Sequence, residues 1–124
     1  MRYYDKITPD GTRDLLFAEC DQRSQVTKTL KDLFVSQGYR RVMTPALEFY
    51  DVFGEAAKYL PKETMYKLTD SKGRLMVLRP DCTVPVARLT ATRLKGMPLP
   101  LRLYYNHNIY RGFPERKSKS VEIN

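Results

Sequence analysis

Residues 78–92 have the sequence LRPDCTVPVARLTAT, and residues 98–111 have the sequence PLPLRLYYNHNIYR. The first segment is an apolar strand, an Arg-Pro-Asp turn and then apolar residues at the spacing of a helix. The second is an apolar and aromatic run, which predicts a strand that ends at Arg111. This order predicts that Asp81, Thr83 and Arg111 lie close enough together to contact one small zwitterionic ligand.

The side chains at these three positions match the chemistry of a free amino acid. Desolvating its ammonium or its carboxylate without a partner is costly, so a site must offer opposite charges. Asp81 can accept from an ammonium, Thr83 can donate or accept, and Arg111 can bind a carboxylate or phosphate through two bonds. A structural interpretation stays open, because Asp and Thr also cap helices, and Thr83 is the predicted N-cap of a helix over 83–95.

The neighbouring side chains are predicted to have mainly structural roles. Arg79 and Arg88 are expected to pair with acids or to line the mouth of the pocket. Tyr104 and Tyr105 are expected to pack in the core and on the sheet. The single histidine, His107, is expected to lie on a strand face rather than to act as a base, since no Ser or Cys partner is evident.

Besides the helix over 83–95 and the strand over 99–110, the sequence predicts one long helix, two short extended stretches and a hairpin. Apolar residues at near-helical spacing predict the helix over 14–37, and Gly38 ends it. The predicted strands are 40–43, 47–50, 65–68, 75–78 and 99–110, with a turn at 70–73. Because hairpins outnumber crossover connections, the predicted fold class is α+β with a largely antiparallel sheet.

The composition is that of one globular domain. The chain has 124 residues, of which 42% are hydrophobic, and its mean hydropathy is −0.52. No apolar stretch approaches the roughly 18 residues that span a bilayer, so no membrane partner is expected and the predicted location is cytoplasmic. Cys20 and Cys82 lack the spacing of metal ligands, which predicts reduced thiols, no metal site and no cofactor.

The net charge of +8 does not by itself decide whether the protein binds nucleic acid. Such a charge is typical of proteins that bind nucleic acid, so a basic RNA-binding or assembly module is one alternative. Against it, the chain lacks an RNP aromatic box, zinc-finger spacing and a helix-turn-helix pattern. It also lacks GxGxxG, Walker A and GxSxG sequences. We therefore expect the charge to lie mainly on a solvated face, without a nucleic-acid partner.

Several pieces of the sequence, in order, resemble one known family. They are PDGTRDLL at 9–16, GYRRVMTPALE at 38–48, MYKLTDSKGR at 65–74, LRPDCT at 78–83 and LYYNHNIYR at 103–111. Together they resemble the histidyl-tRNA-synthetase-like core of class II aminoacyl-tRNA synthetases. The resemblance implies that residues 1–124 are the N-terminal part of such a domain, an incomplete antiparallel sheet flanked by helices. Motif 1 would lie at about 22–50 and the first part of motif 2 at about 99–124.

Within that group, TVPVARLTAT and PLPLRLYY resemble the regulatory subunits of ATP phosphoribosyltransferase, which act in histidine biosynthesis. The resemblance implies an oligomeric, non-catalytic subunit that forms a homodimer through the motif 1 helix. It also implies a short-form catalytic subunit as partner and histidine as feedback effector. Asp81, Thr83 and Arg111 would contact histidine, with Arg79, Tyr105 and Glu122 supporting the pocket. The alternative is part of a histidine–tRNA ligase.

The chain is shorter than the members of this family, whose catalytic-like domain has roughly 300 residues. We therefore expect residues 99–110 to form an unpaired sheet edge, because the returning strand of motif 2 would be missing. The same shortness predicts self-association through that edge and the motif 1 helix. It further predicts that histidine binds weakly or not at all.

Overall fold

The computed structural model describes residues 3–54 and 59–112 and, for the backbone alone, residues 121–123. Its helices are α1 (Ala18–Ser36) and α2 (Thr83–Thr92). Its strands are β1 (Arg40–Arg41), β2 (Leu47–Phe49), β3 (Lys67–Thr69), β4 (Leu75–Leu78), β5 (Leu103–Tyr104), β6 (Ile109–Arg111) and β7 (Val121–Ile123). Short 3-10 turns occupy Tyr3–Asp5, Tyr50–Phe53 and Lys62–Thr64. The α+β class is as predicted.

The long helix α1 ends where the sequence predicts and begins four residues later than predicted. Gly38 adopts φ 85°, a conformation that favours glycine, and its N–H donates to Val35 O at 3.0 Å, which closes the helix. None of the residues of α1 is buried within this chain. Its apolar residues Val26, Leu30 and Leu33 are about half exposed, at 60%, 49% and 56%. The helix therefore has an apolar face that the described residues leave uncovered.

The main sheet has the strand order β2-β4-β3 and is antiparallel throughout. The predicted hairpin is present: Asp70 accepts from the N–H groups of Lys72 and Arg74, each at 2.9 Å, which fixes the turn between β3 and β4. The hydrophobic core lies on one side of this sheet and contains Phe53, Met65 and Val77. The core holds the start of α2 in place, because Val84 packs against it.

The predicted strand over 99–110 is wrong as one element. The chain forms β5, leaves the sheet at 105–108 and then forms β6. The break occurs where Asn108 O accepts from Arg79 Nε at 2.6 Å and Tyr110 N–H donates to Arg79 O at 2.9 Å. These bonds draw this segment towards the turn that precedes α2. The helix predicted over 83–95 likewise ends earlier, at Thr92.

The remaining strands form two small sheets. β5 pairs with β1 in parallel, which is the exception to the largely antiparallel pattern. β6 pairs with β7 in antiparallel register, with Tyr110 opposite Glu122. The prediction of an unpaired edge is therefore wrong for residues 109–111, because residues 121–123 supply the returning strand. The basic run RKSKS at 116–120, which is expected to be a solvated loop, lies outside the described residues.

Candidate functional site

A cavity of about 870 Å³ lies between α1 and the opposite wall formed by β5, the segment after it and the turn before α2. This volume is within the usual range for small-molecule sites. One wall carries the α1 residues Arg23, Val26, Leu30, Lys31 and Phe34. The other carries Arg41, Asp81, Cys82, Thr83, Tyr104, Tyr105 and His107. Two of the three residues predicted to hold the ligand, Asp81 and Thr83, thus border one cavity.

Asp81 caps α2 and borders the cavity at the same time. Its Oδ2 accepts from the N–H of Val84 at 2.8 Å, which satisfies one of the free donors in the first turn. The predicted cap by Thr83 is wrong: Thr83 is the first helical residue, is exposed, and forms no side-chain capping bond. The capping interpretation therefore holds for Asp81, whereas its contact with a ligand stays a prediction, for which the carboxylate still has free lone pairs.

Arg111 lies outside the group of residues that border the cavity. It is the last residue of β6, and its Nε donates to Pro80 O at 2.8 Å. This bond connects β6 to the turn that contains Asp81, so Arg111 stabilises the backbone of that turn. The structure thus brings Asp81 and Thr83 together, but it does not place Arg111 with them at the cavity.

Arg79 is buried, with 6% of its surface exposed, and it bonds to backbone carbonyls rather than to an acid. Its side chain donates to Asn108 O at 2.6 Å and to Thr44 O at 3.1 Å. Its own N–H donates to Ala46 O at 2.8 Å. Arg79 therefore joins three segments of the chain directly behind Asp81. The predicted pairing with an acid holds for Arg88 instead, which binds Glu48 through two bonds of 2.9 and 3.0 Å.

The two tyrosines of the cavity wall differ in exposure, although the sequence predicts packing in the core or on the sheet for both. Tyr104 is 8% exposed, and its ring stacks on Phe34 of α1 with centroids 5.3 Å apart. Tyr105 is 37% exposed and stacks on His107 at 6.1 Å. Tyr105 therefore offers an accessible ring to the cavity. Glu122 is placed opposite Tyr110 in the backbone register of β6 and β7, and its side chain is outside the described part of the chain.

His107 lies between β5 and β6 in the cavity wall, not on a strand as predicted. Its Nε2 accepts from the N–H of Thr44 at a long 3.4 Å, which assigns the proton of the neutral ring to Nδ1. Burial, and then the positive charges of Arg79 and Arg41, lower the pKa of His107 from its ordinary value. The ring is therefore neutral at neutral pH.

The sequence analysis missed the cations of the cavity. Arg23 and Lys31 are on α1, and Arg41 is on β1, next to Tyr104 in the pairing with β5. The available signal was the eight-residue spacing of Arg23 and Lys31, which puts them near the same face of a helix. Nothing in the sequence indicates that Arg41 meets that face, because the pairing of β1 with β5 is long-range.

Cys82 also borders the cavity, between Asp81 and Thr83. Burial raises the pKa of its thiol, with Arg79 acting in the opposite direction. A thiol with a raised pKa is a poor nucleophile at neutral pH. Within residues 3–54 and 59–112, no group of three or more His, Cys, Asp or Glu side chains is arranged to hold a metal ion. No helix in the same part of the chain is long and apolar enough to cross a membrane.

Comparison with protein families finds the histidyl-tRNA synthetase model over residues 11–124. The chain belongs to the histidyl-tRNA synthetase family. Among curated proteins, this family member is similar to ATP phosphoribosyltransferase regulatory subunits. It is 42% identical to that of Clostridium kluyveri, over 99% of this chain and 32% of the relative. It is 46% identical to that of Clostridium acetobutylicum, over 95% of this chain and 29% of the relative.

Solved structures of the histidyl-tRNA synthetase family have the same fold. A protein from Bacillus halodurans, described as an ATP phosphoribosyltransferase regulatory subunit/histidyl-tRNA synthetase, has a TM-score of 0.80 and 34% identity, over 94% of this chain and 30% of that one. The apo histidyl-tRNA synthetase of S. aureus has a TM-score of 0.72 and 27% identity, over 85% and 29% of the two chains. The class II core is thus confirmed. The chain spans about a third of the length of the curated relatives it matches.

Proposed function

We propose that this chain acts as part of a regulatory subunit of ATP phosphoribosyltransferase that binds histidine as an effector and assembles with a short-form catalytic subunit. The observation that carries the proposal is the cavity bordered by Asp81, Thr83 and Tyr105. An aspartate and an accessible ring on the same wall of the cavity suit a ligand with an ammonium and an aromatic side chain. The names of the similar regulatory subunits support the choice of histidine biosynthesis.

The chain is proposed to have a regulatory rather than a catalytic role. Cys82, the thiol at the cavity, has a raised pKa and is therefore not an activated nucleophile. Feedback inhibition requires that histidine bind two states of the assembly unequally. Arg79 and Arg111 connect the Asp81 turn to β6, so a ligand at Asp81 has a direct connection to that strand.

A homodimer through α1 belongs to the same proposal. The exposed apolar residue Leu33, which does not border the cavity, gives the helix a surface that a second copy would cover, and the family resemblance assigns motif 1 to this region. If this dimer forms, Leu33→Asp should lower the self-association measured by sedimentation. The exposed change Leu99→Asp, away from α1, is the control. A wild-type chain that stays monomeric at high concentration would contradict this part.

The test begins with histidine binding by the isotope-labelled chain; because this binding is expected to be weak, it is followed by NMR at high histidine concentration. Asp81→Asn should weaken binding roughly tenfold while α2 is kept, because Asn caps helices about as well as Asp. Asp51→Asn, an exposed acid away from the cavity, is the matched control and should change nothing. Equal histidine affinity in wild type and Asp81→Asn would contradict the assigned site.

The second assay measures phosphoribosyl-ATP formation by a short-form catalytic subunit, with and without the chain and histidine. An increase caused by the chain and suppressed by histidine supports the regulatory role. The competing function is that of a histidine–tRNA ligase, which is favoured by structural neighbours described as a histidyl-tRNA synthetase and a histidine–tRNA ligase subunit. Histidine-dependent exchange between ATP and pyrophosphate would select the ligase and reject the regulatory role.

A further inference from the structure

The cavity carries more positive than negative charge. Arg13, Arg23, Lys31 and Arg41 border it, against Glu19 and Asp81. Arg13 is neutralised by Glu19, with Nη1 and Oε2 2.8 Å apart. Asp81 accepts from a backbone N–H at the start of α2. Three cations therefore remain at the cavity against one carboxylate, and the walls of a cleft strengthen such a field relative to an open surface.

Two of these cations come from different elements and flank the same aromatic stack. Lys31 precedes Phe34 on α1 by less than one helical turn, and Arg41 is opposite Tyr104 in the pairing of β1 with β5. The rings of Phe34 and Tyr104 are stacked, which brings the two elements together at this end of the cavity. Among the residues that the structure describes, neither cation has an acid within 4.0 Å.

We infer that Lys31 and Arg41 form a subsite for a small oxyanion, a carboxylate or a phosphate, at the end of the cavity marked by the Phe34–Tyr104 stack. The guanidinium of Arg41 supplies paired donors for two oxygens, and the ammonium of Lys31 adds a point charge from the opposite wall. Asp81 gives the cavity a cation-binding group as well. The subsite does not require that the cavity bind histidine.

His107 borders the same cavity, so its NMR resonance can report whether the subsite is occupied. The groups that face His107 are the cations Arg41 and Arg79, the ring of Tyr105 and the N–H of Thr44. From the other elements, Lys31, Arg23 and the Arg13–Glu19 pair lie across the cavity, and Asp81 and Cys82 lie at the start of α2. An oxyanion on Arg41 offsets one of the two charges that lower the pKa of His107. Occupation of the subsite therefore raises that pKa.

The experiment titrates the chain, labelled with ¹³C-histidine, with inorganic phosphate at constant ionic strength. Since the chain has one histidine, a single Hε1 resonance reports the site. We expect a saturable shift of this resonance and a rise in the pKa of His107 by roughly half a pH unit. Phosphate itself titrates at about pH 7, so the linkage is measured with sulfate, an oxyanion whose charge is constant in this range. Sulfate affinity should be about threefold higher at pH values below the titration of His107 than above it. Chloride at equal ionic strength should give no saturable shift.

Arg41→Gln should abolish the saturable shift, Lys31→Gln should weaken it, and Arg41→Lys should retain part of it. Arg93→Gln, at an exposed arginine that directly follows α2 and does not border the cavity, is the matched control and should leave the shift unchanged. Lys31 is on an exposed helix, so its variant tests the subsite even if changes at β1 disturb the fold. Equal saturation in the wild type and in both Gln variants, or no saturation in the wild type, overturns the proposal.

Two further ligands distinguish the sources of the oxyanion. Histidine should displace phosphate if its carboxylate occupies the subsite, whereas histidinol, which has no carboxylate, should not. If histidine leaves the phosphate-induced shift unchanged, the subsite is supported as one for a phosphate-bearing ligand. That outcome counts against the proposal that the cavity binds histidine, and not against the subsite. Displacement by histidinol as strong as by histidine would mean that the two ligands compete elsewhere in the cavity, and it would overturn the assignment of the carboxylate to Arg41.

Discussion

The two helices of this molecule have similar sequence signals and very different surroundings. α2 has a buried Pro85, and its Val84 packs on the core of Phe53, Met65 and Val77. α1 is nearly twice as long and has no buried residue. The difference shows that an apolar pattern predicts where a helix forms, whereas its burial depends on which other surface reaches it. In this chain, stability is concentrated around β4 and α2, and the face of α1 is available for binding.

The largest expected difference between the two regions is in the cost of shortening an apolar side chain. Phe53→Ala removes a fully buried ring and should lower the free energy of unfolding by about 3–5 kcal/mol. Leu33→Ala on α1, where the side chain is about half exposed, should cost less than about 1 kcal/mol. Urea unfolding followed by circular dichroism measures both. Comparable costs would show that α1 is buried in solution, and a concentration-dependent cost would identify a second copy as the cover.

The next difference concerns ion pairs. Glu48 is buried and binds Arg88 through two bonds, so Glu48→Gln should cost about 2 kcal/mol, because it leaves Arg88 without its charged partner. The Lys28–Asp32 pair on α1 is exposed to solvent, and Asp32→Asn should produce no measurable change. Urea midpoints of the two variants give the comparison. Adding Arg88→Met to Glu48→Gln should recover part of the loss, and no recovery would contradict the pairing.

The smallest effect is the pH dependence at His107. Its pKa is lowered in the folded chain, so the unfolded chain binds more protons in this range. The free energy of unfolding should therefore decrease as the pH falls below about 6.5, the ordinary value for histidine, towards the lower pKa of the folded state. His107→Asn should remove this part of the pH dependence. A stability that rises as the pH falls through this range would show that the pKa is raised instead.

The parts of the fold that were predictable depend on local chemistry. Gly38 ends α1 because its backbone has a positive φ, and Asp70 closes the hairpin by accepting two neighbouring N–H groups. Asp81 was identified as a cavity residue because it is part of a recognisable turn and family motif. These features involve residues only a few positions apart, so the sequence displays them directly.

The parts that were not predictable depend on long-range contacts. Residues 105–108 lie inside the run predicted as one strand, but Arg79 binds Asn108 O and the strand is interrupted there. Arg111 matches a ligand-binding position of the family, yet its Nε is bonded to Pro80 O. Arg41 enters the cavity only because β1 pairs with β5, about sixty residues further along the chain. No local pattern reports such contacts.

The parallel pairing of β1 with β5 also has a consequence for the order of folding. The β3–β4 hairpin closes a short loop, whereas joining β1 to β5 requires that the intervening chain be organised first. Contacts between distant residues are the slow step in small domains. The hairpin and α2 should therefore form early, and the wall that carries Arg41 and Tyr104 should form late. The cavity would then be the last part of the chain to acquire its native shape.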